Sequence, residues 1–176
     1  MNISTDTLLW VGSMSLPLLG GLATSVITID QVDNWYPKLK KPWFTPPKYL
    51  FGPIWTLLYL AMGKAFYIVI QNRDDDRMLL SLTCAIYVAQ MVLNWAWSPL
   101  FFLMKRPDLA LVDISVMTVL VVACVFTFGI YSTNAAKLMV PYLGFSAVAT
   151  TVNYVVLKTN DPTLLRGDVP SPKKIN

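Results

Sequence analysis

Residues 35–59 read WYPKLKKPWFTPPKYLFGPIWTLLY, from Trp35 to Tyr59. This run holds eight aromatic residues and five prolines. Prolines at 37, 42, 46 and 47 remove backbone donors and fix φ, which forbids a regular helix or a central strand. A stiff irregular loop is therefore expected, with a helix starting near Pro47, where proline is tolerated in the first turn. Phe51, Trp55 and Tyr59 then recur every four residues and share one helical face. The stretch is an aromatic loop running into an aromatic-faced helix. Two readings are open for it: an interfacial aromatic belt, or a binding site for a flat, apolar ligand.

The rest of the chain supplies the setting. Hydrophobic residues make up 55% of the sequence and charged residues 14%, whereas a soluble domain carries about 25% charged residues. An all-α integral membrane protein is expected. Five apolar runs reach the roughly 20 residues a bilayer crossing needs, at about 8–29, 47–70, 78–104, 109–130 and 135–157. They form a five-transmembrane helix bundle in one domain, 1–176. The connections 71–77, 105–108 and 131–134 are short, which predicts antiparallel neighbours. A membrane barrel would instead alternate in segments of about ten residues. No internal repeat is visible, which argues against a repeat-built transporter. The first apolar run lacks a basic leader and a small-residue cleavage site, so it is expected to stay in the mature chain.

The sequence has no His and no Glu. That removes His-dependent triads, HExxH zinc sites, His-ligated haem and Glu proton relays. Cys84 and Cys124 lie inside apolar runs, where neither a disulfide framework nor a metal site is expected. No cofactor and no metal are called for, and the net charge of +4 is spread along span edges with no basic arm for nucleic acid. Arg73, Arg77 and Lys137 fall on one side of the membrane. Lys38, Lys40, Lys41, Lys48, Lys105, Arg106, Lys158, Arg166, Lys173 and Lys174 fall on the other. The positive-inside rule then puts the loop 30–46 and the tail 158–176 in the cytosol, and Asp74, Asp75 and Asp76 reinforce the asymmetry.

Within the spans, Gly20, Gly21, Ala23, Thr24 and Ser25 allow helix one a close approach. Ser81, Ala85 and Ala89 form a small-residue ridge on helix three, which packs either inside the bundle or against a second copy in a homodimer. Gln90, Asn94, Trp97 and Phe101 share another face of helix three. Asp113 lies early in helix four. Tyr142, Ser146, Ala149 and Asn153 share a face of helix five. Polar groups at membrane depth face a cavity or each other, so helices three to five should converge them inward. They act either as mutual glue among Asn94, Asp113 and Asn153 or as the polar end of an apolar cavity. Trp97 is expected on the cavity face. Trp95, two residues away, points elsewhere, towards lipid or another helix. Pro99 should kink helix three and bring Phe101 and Phe102 to the loop. Lys64 is read as snorkelling to the far surface. Val152, Tyr154 and Lys158 fit the weak L/V-x-Y-x-K/R cholesterol pattern, equally readable as an interfacial anchor pair.

Taken in order, Trp35-Tyr36, Leu39, Lys41-Pro42, Pro46-Pro47, Gly52-Pro53-Ile54-Trp55, Leu58-Tyr59 and Ala61-Met62-Gly63 resemble the TspO/MBR family. The likeness continues through Gln90, Leu93-Asn94-Trp95-Ala96-Trp97, Pro99, Phe101-Phe102, Ala110-Leu111-Val112-Asp113, Pro141-Tyr142-Leu143 and Asn153-Tyr154. It runs from about Gly20 to Lys158. The resemblance implies a five-helix bundle, often dimeric, that binds porphyrins such as protoporphyrin IX, cholesterol and benzodiazepine- or isoquinoline-type ligands. It implies a pocket under the first long loop, lined by helices one, two, four and five, with helix three contributing. Carried over, Trp35, Gly52, Trp55, Asn94, Trp97 and Asp113 would line or support that pocket. Phe51 on the aromatic face and Ala149 on helix five complete the expected ligand-binding set. Val152, Tyr154 and Lys158 would be the cholesterol-recognition residues. Two departures stand out. Phe145 takes the place of the usual Trp in the PYLxW motif, a Trp linked to porphyrin breakdown in bacterial members, and Lys64 takes a usually aromatic place.

The expected function is thus a membrane receptor or transport protein for flat apolar ligands and not an enzyme. A photo-oxidative porphyrin-degrading enzyme and a membrane scaffold or sensor are the alternatives. Lys38, Lys40 and Lys41, or loop amides, could meet porphyrin carboxylates. The resemblance implies the mitochondrial outer membrane, while the Lys173-Lys174 tail also fits retrieval to the ER membrane. The sequon at Asn2-Ile3-Ser4 lies too near the first span to be used. The sharpest expectation is that Trp55 faces the pocket while Trp43 anchors the loop at the membrane surface.

Overall fold

The computed structural model describes residues 4–73 and 76–167. Asp74, Asp75, the Asn2-Ile3 pair and the tail lysines Lys173 and Lys174 lie outside the described residues. Five long apolar helices follow one another: α1 Thr5–Asn34, α2 Lys48–Gln71, α3 Arg77–Ser98, α4 Pro107–Tyr131 and α5 Thr133–Thr159. A one-turn helix α6, Pro162–Arg166, closes the described chain, and no strand is present among the described residues. Helices are the natural choice in lipid, because each satisfies its own backbone donors and acceptors.

The helix ends carry chemistry visible in the sequence. The Ser4 hydroxyl accepts from Thr7 N–H at 3.2 Å and caps α1, and the Asp76 carboxylate accepts from Leu79 N–H at 2.9 Å and caps α3. Pro47 is the N-cap of α2. Helix α1 runs past the apolar stretch through Asp30–Asn34, so the loop starts at Trp35 and not at residue 30. Those extra polar residues are stabilised locally, with Asn34 Nδ2 donating to Asp30 Oδ1 at 2.8 Å. Pro99 ends α3, and Pro99–Leu103 form a π turn in which Met104 N–H donates to Pro99 O at 2.9 Å. The extra residue per turn swings Phe101 and Phe102 inward, where both are buried.

Packing runs α1 against α2, α2 against α5, α5 against α4 and α4 against α3, with α3 returning to α1. One expectation from loop length is met chiefly through side chains. Helices α2 and α3, joined by a short connection, make no extensive backbone contact. Large side chains fill the space between them. The Phe66 and Tyr87 rings stack at 4.4 Å and 6°, and the Tyr59 hydroxyl reaches Asn94 Oδ1 at 2.7 Å. The α1–α2–α3 side is closer. A Cβ at Gly20 would collide with the Trp95 indole, one at Gly21 with the Tyr59 ring, and one at Gly63 with the backbone of Ser13. Trp95 thus meets α1. The ridge Ser81, Ala85 and Ala89 is exposed on the outside of the bundle, so it does not pack within it.

Two hydrophobic clusters result. The larger, from Leu58 and Tyr59 through Tyr87, Val121 and Phe128 to Met139 and Tyr142, fills the half of the bundle far from the aromatic loop. The smaller gathers Trp35, Tyr36, Leu39, Phe101, Phe102, Ala110, Val152, Val156 and Leu165 at the loop end. Between them lies a cavity.

Candidate functional site

The cavity has a volume of about 270 Å³ and takes wall residues from all five spans. The C-terminal half of α1 gives Ser25, Thr28, Ile29 and Val32, and the start of α2 gives Lys48, Phe51, Gly52 and Trp55. Asn94, Trp97 and Ser98 come from the end of α3, Phe101 and Phe102 from the π turn, and Ile114 and Met117 from α4. Phe145, Val148, Ala149, Val152 and Asn153 come from α5. Tyr36, Thr45 and Pro46 form the roof. Each contribution comes from the helix half nearest the loop, so the cavity belongs to that side of the membrane.

The walls are aromatic. The Trp55 ring stacks on Tyr59 at 5.4 Å and meets Phe145 edge-on at 5.3 Å. Trp97 stacks on Phe101 at 5.0 Å and 23°. The hydroxyls of the α1 wall are turned away: Ser25 Oγ donates to Gly21 O at 2.8 Å and Thr28 Oγ1 to Thr24 O at 2.7 Å. Such back-bonding leaves their carbon faces to the cavity. The wall chemistry is that of a site for an apolar, planar molecule.

The polar floor is fully engaged. Asn94 Oδ1 accepts from Tyr59 OH at 2.7 Å, and Asn94 Nδ2 donates to Tyr142 OH at 2.8 Å, whose proton points to Met117 Sδ at 3.2 Å. Asn153 Oδ1 accepts from Trp97 Nε1 at 3.0 Å, and Asn153 Nδ2 donates to Pro107 O at 2.8 Å. The polar groups are interhelical ties, but the expectation that Asn94, Asp113 and Asn153 would satisfy one another is corrected. Tyrosine, tryptophan and a helix-start carbonyl take those places, because aromatic donors reach across the bundle where short side chains do not. Asp113 is buried outside the cavity lining, and its Oδ2 has no hydrogen-bond partner among the described residues. Gln90 is 0% exposed and both its amide atoms lack partners among the described residues.

Replacing Asn94 with leucine should orphan the buried Tyr59 hydroxyl and strip the Tyr142 hydroxyl of its amide donor, leaving it only the Met117 sulfur. Interhelical hydrogen bonds in membranes contribute about 0.6 kcal/mol on average, and an orphaned buried donor costs about 1–3 kcal/mol. Asn94→Leu is expected to destabilise the bundle by roughly 2 kcal/mol in thermal unfolding, with Tyr59→Phe losing less. Equal melting of Asn94→Leu and the parent would sink the network.

The mouth is held by loop chemistry. Lys41 Nζ donates to Tyr36 O at 2.7 Å and Leu39 O at 2.8 Å and lies 4.5 Å from the Tyr36 ring centre. Burial lowers its pKa, and burial pushes the Tyr36 phenol up to about 12, so that hydroxyl stays neutral. Lys41 therefore ties the loop together. The lysine beside the cavity is Lys48, paired with Asp33 Oδ1 at 2.6 Å.

Of the residues singled out in the sequence, Phe51, Gly52, Trp55, Asn94, Trp97, Ala149 and Val152 meet at the cavity. Trp35 does not line it: buried behind Phe101 at 5.7 Å, it supports the roof. Tyr154 is 50% exposed with Lys158 Nζ 5.9 Å from its ring centre, so this pair faces outward while Val152 faces in. Residues two apart on a helix cannot share a face. Trp43 is 94% exposed. A helix-one wall was expected, but its residues Ser25, Thr28, Ile29 and Val32, together with Lys48 and Tyr36, were not assigned to the site. The Thr24/Ser25/Thr28 spacing on α1 was the available signal.

A five-span membrane bundle with an aromatic cavity under its first long loop is the class of protein that fold and site define. The TspO/MBR family model matches residues 13–158. The translocator protein of Homo sapiens is 34% identical over 154 residues, covering 86% of this chain and 91% of that protein. The tryptophan-rich protein TspO of Archaeoglobus fulgidus is 36% identical over 152 residues, 85% of this chain and 95% of its own. The tryptophan-rich sensory protein of Cereibacter sphaeroides is 38% identical over 128 residues, 73% of this chain and 78% of its own. The chain belongs to the TspO/MBR family.

Proposed function

We propose that this protein binds flat, apolar ligands of the porphyrin and sterol classes within the bundle, and benzodiazepine- or isoquinoline-type molecules in the same place, as a receptor or carrier and not as an enzyme. The observation that carries this is the pair of indoles, Trp55 and Trp97, facing one cavity whose α1 hydroxyls, Ser25 and Thr28, are turned away. A porphyrin ring would lie between aromatic faces, with Lys48 at the mouth to meet a carboxylate. Trp97 has its N–H committed to Asn153, and Phe145 stands where an indole would be needed for Trp-radical chemistry. The lysine asymmetry supports a cytosolic loop and C-terminus, and the family supports the mitochondrial outer membrane, with the ER membrane as the alternative. The exposed Ser81/Ala85/Ala89 ridge is the proposed face for a second copy.

The test is tryptophan fluorescence titrated with protoporphyrin IX. The parent protein is expected to show saturable quenching at micromolar ligand. Ala149→Phe fills the cavity and should weaken binding by about tenfold or more, about 1.4 kcal/mol. Ala85→Phe, on the outer ridge, should leave it unchanged. Quenching that is indifferent to Ala149→Phe would place the ligand elsewhere.

A further inference from the structure

The family match ends at residue 158, yet the chain folds back after it. Asn160 is buried, and its amide side chain pairs with the Lys40 backbone on both sides: Lys40 N–H donates to Asn160 Oδ1 at 2.7 Å, and Asn160 Nδ2 donates to Lys40 O at 2.9 Å. Asp161 caps α6, accepting from Thr163 N–H at 2.8 Å. Helix α6 then presents the Leu164 carbonyl to Trp35, whose Nε1 donates to it at 2.9 Å. Leu165 is buried in the roof cluster with Trp35, Phe101 and Phe102. Gly167 ends the turn at φ 77, where a side chain would be strained and would strike Lys105. The Lys105 ammonium lies 6.0 Å from the Trp35 ring centre.

We propose that residues 160–167 form a clasp on the cavity roof, with Asn160 and Leu165 as positioning residues that set how fast ligand enters and leaves. No residue of α6 itself lines the cavity. It acts through Trp35, which meets Phe101 edge-on, and through the loop course at Lys40. Phe101, Phe102 and Tyr36 are wall residues, so releasing Trp35 frees the roof while the deeper Trp55 and Asn94 stay in place. The proposal rests on the ligand-site reading above.

The experiment uses the full chain with Asn160→Ala and Leu165→Ala as separate variants and the exposed Lys137→Ala as control. Stopped-flow quenching by protoporphyrin IX reads association and dissociation separately. Both rates are expected to rise together, by about tenfold, the scale of one or two lost hydrogen bonds, while Kd stays nearly constant. A merely destabilised site would raise Kd through dissociation alone. Backbone hydrogen exchange in ligand-free protein gives a second, independent measure. Lys38 N–H and Leu39 N–H donate to Trp35 O and Tyr36 O within the loop, not to the clasp. Faster exchange at these two amides in either variant shows the roof opening. Unchanged rates with faster exchange confined to Lys40 would overturn the clasp. If the parent protein shows no saturable quenching, the ligand reading falls, and exchange at Lys38 and Leu39 still decides the clasp.

Discussion

Trp55→Ala is expected to weaken protoporphyrin binding by more than about tenfold, the largest effect on affinity of any single cavity substitution. The indole contributes a wall, and it also holds other walls. It stacks on Tyr59 at 5.4 Å and meets Phe145 at 5.3 Å and Tyr142 at 6.3 Å. Each aromatic pair contributes about 0.5–1.5 kcal/mol beyond its buried area. Removing the ring deletes the ligand's stacking partner and lets the Tyr59 and Phe145 rings move into the space. Trp55→Phe keeps a smaller face and should retain part of the affinity. The comparison with Trp43→Ala is the control, because Trp43 is 94% exposed and does not line the cavity. Equal affinity in Trp55→Ala and Trp43→Ala, measured by titration against quenching of the remaining tryptophans, would remove Trp55 from the site.

Gly63→Val should be the most damaging substitution for stability. A Cβ at Gly63 meets the Ser13 carbonyl oxygen and the Met14 Cα, both backbone. A side chain can swing aside, whereas a helix backbone cannot without moving as a body. Helix α1 would be displaced from α2, along the contact that places Ser25 and Thr28 beside Trp55. Overpacking typically costs about 1–3 kcal/mol, occasionally more, and the upper end is expected here. Gly20→Ala should cost less, since its obstacle is the Trp95 ring. Thermal unfolding of detergent-solubilised protein decides the order. If Gly63→Val melts with the parent, the close crossing of α1 and α2 is not where the stability lies.

The spans were legible because bilayer thickness fixes helix length and lipid demands apolar side chains, so each run announces itself. The Trp55 face was legible because four-residue spacing settles which side chains share a helix surface. Pro99 was legible as a bend, since proline cannot continue the hydrogen-bond ladder. It could not be read as a π turn, which depends on where Phe101 and Phe102 find room. The Val152/Tyr154/Lys158 pattern misleads as a single unit, because it treats sequence neighbours as a shared surface.

By itself, the sequence determined an all-α membrane bundle of five spans, an irregular aromatic loop and the aromatic residue types that wall the cavity. These follow from hydropathy, periodicity and proline stereochemistry, all local properties of the chain. Only the tertiary structure decided that α2 and α3 meet chiefly through large side chains, that Trp35 supports the roof from behind and that Lys41 is used up within the loop. It alone joined Asn160 to Lys40 across 120 residues and Trp35 to Leu164 across 129. Such contacts depend on which helix faces which, and no spacing along one chain segment encodes the partner on another.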